Sequence, residues 1–258
     1  MDFSLLTYNL LYNKAHQHVD KIVDKYKPDI FCLQEIQNSK KRLKILEENG
    51  YKLAEFSSSF KKFGKIYGVA TYYNKDKFKL LNSEIILLPR GVYESFLLLL
   101  RTMRGGNNRR TVLKTTFSHK STSKKVVVYN THLTVIGANG VRLKQIQKTL
   151  KDINIDPKNA TIIAGDFNYF PYSRKKLEKL MTRRGLKEAT NKIPYTFNRE
   201  KIKNELLNKI GIKFFPSATN LKLDYIFFKG LRNLKTEKIN VRYSDHYPIK
   251  SQFNFNYS

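Results

Sequence analysis

The chain has 258 residues, of which 49 are Lys or Arg and 21 are Asp or Glu, giving a formal charge of +28 near neutral pH. That excess is far larger than solubility requires and points to polyanionic partners. With 41% hydrophobic and 13% aromatic residues, the charge rides on a folded core, which excludes histone-tail-like and protamine-like chains.

Taken in chain order, residues 3–9 read as a buried strand, and Val19, Ile22, Val23 and Tyr26 recur at helical spacing until Pro28 ends the helix. A strand over 30–34 completes a β-α-β opening. A second helix is expected over 39–48, stopping at Gly50, followed by strands over 51–56, 67–74 and 78–87. The Gly105-Gly106-Asn107-Asn108 run is a loop signal, flanked by strands that lead to 111–118 and 125–131. From Gly137 the pattern turns helical, with Leu143, Ile146, Leu150 and Ile153 on one face, until Asp156-Pro157 breaks it. A strand over 161–164 runs into Gly165-Asp166-Phe167-Asn168, then a basic helix around Leu177, Leu180 and Met181, a loop-rich stretch to Leu221, and strands over 224–228 and 249–255. No repeat, linker or composition break divides the chain, so one α/β domain over 1–258 is expected.

The single Cys32 has no disulfide partner and no cysteine cluster suits structural zinc. The start, Phe3 to Leu6, has neither a basic leader nor a cleavage site, and the longest apolar run, 96–100, is far short of the ~20 residues of a membrane span. An intracellular, non-secreted protein without a transmembrane segment, acting as a monomer, is expected.

Among the cations, 36 are Lys and 13 Arg. An AT-rich genome would account for Lys over Arg, but not for the scarcity of Asp and Glu. Clustering supports a functional surface: Arg101, Arg104, Arg109 and Arg110 lie in a basic stretch that extends from Arg90 to Lys125, Arg174, Lys175 and Lys176 open a second that ends at Arg184, and 199–213 is again mostly basic. Nucleic acid is the expected polyanion, DNA over RNA, with these residues on its backbone.

Polar residues recur at strand ends, where a merely structural residue would be apolar. Asn9, Glu35, His132, Asp166, Asn168 and Asp224 all border apolar runs, and Asp245-His246 precedes the last strand. Taken singly, each has a local explanation, since Asx side chains finish strands by bonding the next turn. Several in one chain fit a shared rim of sheet ends. Glu35, Asp166 and Asp245 are hard oxygen donors suited to Mg²⁺, with Mn²⁺ as a substitute, and His132 and His246 can donate to phosphate oxygens. The set suits attack of water on a phosphoester.

Six blocks carry a resemblance: Thr7-Tyr8-Asn9, Leu33-Gln34-Glu35, Asn130-Thr131-His132-Leu133, Gly165-Asp166-Phe167-Asn168, Leu223-Asp224-Tyr225-Ile226 and Ser244-Asp245-His246-Tyr247-Pro248. In this order they resemble the motifs of the endonuclease/exonuclease/phosphatase superfamily. The resemblance implies a four-layered α/β sandwich of two packed, mainly antiparallel β-sheets flanked by helices, with the site at one end. It implies that Glu35 holds the metal with Asn9 and Asp245 nearby, that Asp166 and Asn168 position the attacking water, and that His132 stabilises charge on a phosphoryl oxygen. His246, oriented by Asp224, would contact the phosphate or move a proton, which leaves the base role open between Asp166 and His246. His132 within Asn-Thr-His-Leu looks more like the deadenylase, sphingomyelinase and tyrosyl-DNA phosphodiesterase branches than the abasic-site endonucleases, which usually carry Tyr there.

The favoured expectation is a Mg²⁺-dependent phosphodiesterase acting on nucleic acid, such as a nuclease or a DNA-end-processing repair enzyme. The alternatives are a phosphatase or phospholipase-like hydrolase acting on inositol phosphates or anionic lipid, and an inactive basic nucleic-acid-binding module.

Overall fold

Two six-stranded sheets organise the chain in a computed structural model that describes residues 2–62, 64–91, 95, 109–153, 159–198 and 220–255. The first half supplies β1 (Asp2–Asn9), α1 (Val19–Tyr26), β2 (Ile30–Gln37), α2 (Lys40–Leu43), β3 (Tyr51–Lys62), β4 (Lys65–Asn74) and β5 (Phe78–Leu87). The second supplies β6 (Thr111–His119), β7 (Lys125–His132), α3 (Asn139–Ile153), β8 (Ala160–Asp166) and α4 (Arg174–Thr182). Then follow β9 (Lys187–Glu188), β10 (Phe197–Asn198), β11 (Asn220–Leu221), β12 (Asp224–Lys229), β13 (Leu231–Lys238) and β14 (Ile249–Phe255). One sheet has the order β13-β14-β1-β2-β4-β3 and the other β5-β6-β7-β8-β12-β9. Each has a single parallel pair at its centre, β1 with β2 and β7 with β8, connected through α1 and α3; the remaining pairings are antiparallel. This is the layered sandwich that the sequence motifs imply.

The central strands are buried on both faces, which is why they read as continuous apolar runs. Phe3, Leu5, Ile30, Cys32, Val126, Val128, Ile162 and Phe253 fill the space between the sheets. Leu6, Phe31 and Leu33 face outward against Val19, Ile22 and Val23 of α1, while Val127, Tyr129 and Ile163 pack on α3 and α4. Burial of each such side chain contributes roughly 1.5–3 kcal/mol before the entropic cost of ordering the chain.

Toward the C-terminal ends of the central strands this inner core turns polar. Gln34 Nε2 donates to Asn130 Oδ1 across the sheets (2.9 Å) and to Thr7 Oγ1 (3.0 Å). Asn130 Nδ2 in turn donates to the Ala70 carbonyl (2.9 Å) and the Thr71 hydroxyl (3.3 Å), and both amide side chains are fully buried.

Several elements depart from the sequence reading. The helix expected over 39–48 covers only Lys40–Leu43, because Lys40, Lys41 and Arg42 load its first turn with charge that opposes the helix dipole and Ser39 makes no side-chain cap. β3, expected over 51–56, continues through Ser57-Ser58-Ser59 to Lys62; Ser57 and Ser59 bond Thr111 Oγ1 across the sandwich (2.8 and 3.3 Å). β13 was not expected, since a charged edge strand lacks an apolar signature. Among the described residues, no helix is long and apolar enough to cross a membrane.

Replacing Asn130 with Ala removes one of the acceptors of Gln34 Nε2 and the side-chain donor to the Ala70 carbonyl. It should cost about 2–4 kcal/mol, read as a fall of roughly 5–15 °C in Tm; an unchanged Tm would show that the inter-sheet amide pair contributes little.

Candidate active site

Asn9, Glu35, His132 and Asp166 come to one end of the sandwich because the two central pairs are each parallel. His132 lies opposite Asp166 in register, and Asp224, the first residue of β12, lies opposite Asp166 on its other side. Local distortions aim the side chains. Glu35 is the extra residue of a β-bulge between Gln34 and Ile36 and sits in the left-handed region at φ 58°, a conformation that costs a non-glycine residue about 1–3 kcal/mol. Gly165 has φ 139°, and a Cβ there would stand 2.0 Å from the Thr131 carbonyl oxygen, so only glycine lets the chain pass at that point. Asn168, at φ 47°, turns the chain directly after β8.

Asp166 is gripped at both oxygens. Its Oδ1 accepts the Asn168 backbone N–H (2.9 Å) and its Oδ2 accepts Asn9 Nδ2 (2.9 Å). The same Oδ2 lies 3.5 Å from His132 Nε2 and 3.8 Å from His246 Nε2. Burial pushes the Asp166 carboxyl upward, the His246 charge pulls it down and Asp224 adds to the rise, leaving it net above the ordinary carboxylate range.

The two histidines are pushed in opposite directions. Burial and the Arg110 guanidinium drive His132 well below its ordinary value. Arg110 Nη1 lies 3.0 Å from His132 Nδ1 and 3.4 Å from Nε2, while Nε2 faces Asp166 Oδ2 and, at 3.7 Å, Glu35 Oε1; these acceptors favour the ring proton on Nε2. For His246 burial alone favours the neutral ring, but Asp224, Asp166 and Asp245 together outweigh it and hold the ring protonated. Its Nδ1 meets Asp224 Oδ2 at 2.7 Å.

Two of the expected residues have partners that bear on their roles. Asn9, expected beside the metal as a ligand or neighbour, accepts the Leu11 N–H at Oδ1 (3.0 Å), and its Nδ2 faces Asp166 (2.9 Å) and, at 3.4 Å, Glu35. Asn9 therefore orients the two carboxylates. Arg174, expected on a nucleic-acid backbone, is bound by Glu178 (2.6 Å) and Glu188 (3.0 Å) against α4 and β9, so its charge is already compensated. Its neighbours Lys175 and Lys176 are exposed on α4. Arg109 is exposed and donates Nε to the Leu88 carbonyl (2.9 Å), whereas Arg110 reaches the site itself. Arg101, Arg104 and the basic stretch 199–213 lie outside the described residues.

The donor set fits a hard divalent cation. Glu35 Oε2 accepts the Tyr12 N–H (2.7 Å), while Oε1 has only the long contacts to Asn9 and His132. Burial and the neighbouring Asp245 raise Glu35, a repulsion that a cation between them would relieve. Atoms of Asp166, Asp224 and His246 also lie within 4.8 Å of one another, and Asp224 Oδ1 is buried without a hydrogen-bond partner. In that group His246 Nδ1 is engaged by Asp224 Oδ2 (2.7 Å); Glu35 with the neighbouring Asp245 offers a second pair of carboxylates that could hold a cation.

Residues that the sequence reading passed over support these groups. Thr196, fully buried, donates to Asp224 Oδ2 (2.7 Å) and accepts the Leu223 and Asp224 N–H groups (3.0 and 2.9 Å). Phe197 bridges His246 and packs edge-on against its ring. The Tyr195-Thr196-Phe197 run, rich in strand-forming types, was the available signal inside the stretch read as loop. Arg142, also fully buried, binds the carbonyls of Thr134, Val135 and Gly137 and so fixes the loop after His132.

Solved structures share the fold at low identity. The human Nocturnin catalytic domain with bound sulfate is 20% identical, with 99% of this chain and 95% of that one covered at a TM-score of 0.73. ANGEL2, a 2′,3′-cyclic phosphatase, is 17% identical over 98% of this chain and 95% of its own, at 0.71. A mannosyl-6-phosphatase from Bacteroides thetaiotaomicron is 19% identical over 98% and 100%, at 0.69. No curated protein matches by sequence. The model of the endonuclease/exonuclease/phosphatase family matches residues 6–246, which spans every strand end described above: the chain belongs to that family and carries its phosphoesterase fold.

Proposed function

We propose that this protein hydrolyses phosphoesters of nucleic acid with water, assisted by Mg²⁺, for which Mn²⁺ can substitute. The observation that carries the reading is the convergence of Asn9, His132 and His246 on Asp166 Oδ2, at 2.9, 3.5 and 3.8 Å. A carboxylate whose proton affinity is raised by burial thus stands beside one amide and two imidazole N–H groups. A divalent cation held by Glu35 and Asp245 would polarise a phosphoryl oxygen as a Lewis acid.

The chain's own residues divide the remaining work. Asp166, raised in proton affinity and fixed at both oxygens, accepts the proton of the attacking water. His246 is already protonated and serves as a charged donor to the phosphate, oriented by Asp224, which Thr196 holds in turn. Neutral His132 donates Nε2–H to a second phosphoryl oxygen, and Arg110 behind it supplies positive charge. This division gives the base role to Asp166. The charge of +28 supports a polymeric anion, with DNA favoured. A phosphatase reading is the alternative, since ANGEL2 and the mannosyl-6-phosphatase share the fold with this chain.

A panel of end-labelled DNA and RNA, a 2′,3′-cyclic phosphate and a sugar phosphate, each with Mg²⁺ or with EDTA, separates the two readings. Turnover of the sugar phosphate alone would remove the nuclease reading. Glu35→Ala and Asp166→Asn should each lower metal-dependent hydrolysis by about 10²–10⁴-fold while nucleic-acid binding persists; full turnover in either variant would overturn the site.

The rate should rise with pH as Asp166 loses its proton, and burial places that limb above the ordinary carboxylate value of 3.8. In metal-free protein, NMR titration should show His246 still protonated above 6.5. Asp224→Asn removes its main counter-charge, so burial then prevails and the titration moves downward. A His246 titration unmoved by that change would exclude Asp224 as its orienting partner.

A further inference from the structure

The family's shared chemistry does not say where a polymer would lie. We propose that the β3–β4 hairpin, with the Tyr12 loop beside it, is the surface that holds the nucleic-acid backbone on one side of the scissile phosphate, in place of the basic face of α4. This rests on the nucleic-acid reading above and adds the location of the polymer.

The first observation is position. β3 and β4 end and begin at the site rim, where Phe60 stacks on Tyr67 (5.5 Å between centroids) and meets His132 edge-on (5.8 Å). Arg110 lies over the Phe60 ring at 4.8 Å and also contacts His132. Lys62 lies over the Tyr12 ring at 3.7 Å, and the Tyr12 N–H binds Glu35. A continuous chain of contacts therefore runs from the hairpin lysines to the candidate metal ligand. Two residues of strand span ~7 Å, so the hairpin end projects about that far beyond Phe60.

The second observation is an electrostatic cost. Lys62 faces Lys65 directly across the hairpin, and Lys61 adjoins them. Like charges placed opposite each other on neighbouring strands destabilise the pairing. No Asp or Glu occurs between Phe56 and Lys75, nor between Ile36 and Leu46, the segment joined to the hairpin by the Asn38 N–H to Ile66 carbonyl bond (2.8 Å). A phosphate backbone would relieve this repulsion.

α4 differs in kind. Glu178 and Glu188 compensate Arg174, and Glu188 also binds Lys222 (2.6 Å), so acidic groups are built into that face. The aromatic rings of the hairpin and the Tyr12 loop, by contrast, carry cations on their π-faces, which holds the ammonium and guanidinium groups at the mouth.

The experiment compares Lys61→Gln/Lys62→Gln/Lys65→Gln with Lys175→Gln/Lys176→Gln/Lys179→Gln in the full chain. Fluorescence anisotropy of a labelled oligonucleotide is recorded across a salt series with EDTA present. The hairpin variant should bind at least tenfold more weakly at low salt, and its slope of log K against log salt should fall by about 2–3. The α4 variant should keep the parental slope. Thermal melting guards against misfolding: loss of the Lys62–Lys65 repulsion should leave Tm unchanged or higher. Equal or greater loss in the α4 variant would overturn this assignment while leaving the nucleic-acid reading in place. If the parental protein binds no DNA or RNA at low salt, both fall together.

Discussion

The hydrogen bond between Gln34 and Asn130 is the join on which the site depends. Each amide is next to, or two residues from, a functional group: Gln34 precedes Glu35, and Asn130 lies two residues before His132. Without a fixed registration of the two sheets, Glu35 from one and Asp166 from the other would not meet. A buried polar pair is a demanding device, because every missed partner costs desolvation energy that an apolar contact would not. Its advantage is directional: apolar faces slide with little penalty, whereas two amides with several partners fit one alignment. Asn9 completes the tie at the rim, linking β1 of one sheet to Asp166 of the other.

Electrostatics in the site follow from this assembly. Four carboxylates, Glu35, Asp166, Asp224 and Asp245, are buried within one end of the molecule. Asp224, Asp166 and Asp245 raise His246 against its burial, while burial and Arg110 drive His132 toward the neutral ring. Two identical side chains thereby become a charged and an uncharged donor. The surrounding excess of cations sets the long-range field, and the carboxylates set the local one.

Much of this was legible in the sequence, for reasons that differ between elements. Strands buried on both faces announce themselves as apolar runs, and a polar residue ending such a run, as Glu35 and Asp166 do, stands out. The edge strand β13 gave no such signal, and neither did the segment around Thr196, whose hydroxyl matters only because Asp224 folds against it. Asn9 shows a different limit. Its place in the site was legible, but which end of its amide faces the carboxylates depends on the Leu11 N–H, and that is set by the turn after β1. Charge runs do not show where each cation points: Arg109 and Arg110 are neighbours in sequence, yet one binds the Leu88 carbonyl after β5 and the other contacts the His132 ring.

Cys32 lies fully buried between the sheets, two residues along β2 from Gln34, whose amide donates to the Cys32 carbonyl (2.9 Å). Burial pushes its thiol far above the ordinary range, so no reactive thiolate forms in the closed molecule. Since the chain has no other cysteine, its modification by a thiol reagent counts openings of the sandwich and nothing else. The lone sulfur is a built-in clock for separation of the two sheets, the one motion that would dismantle the site without breaking a strand.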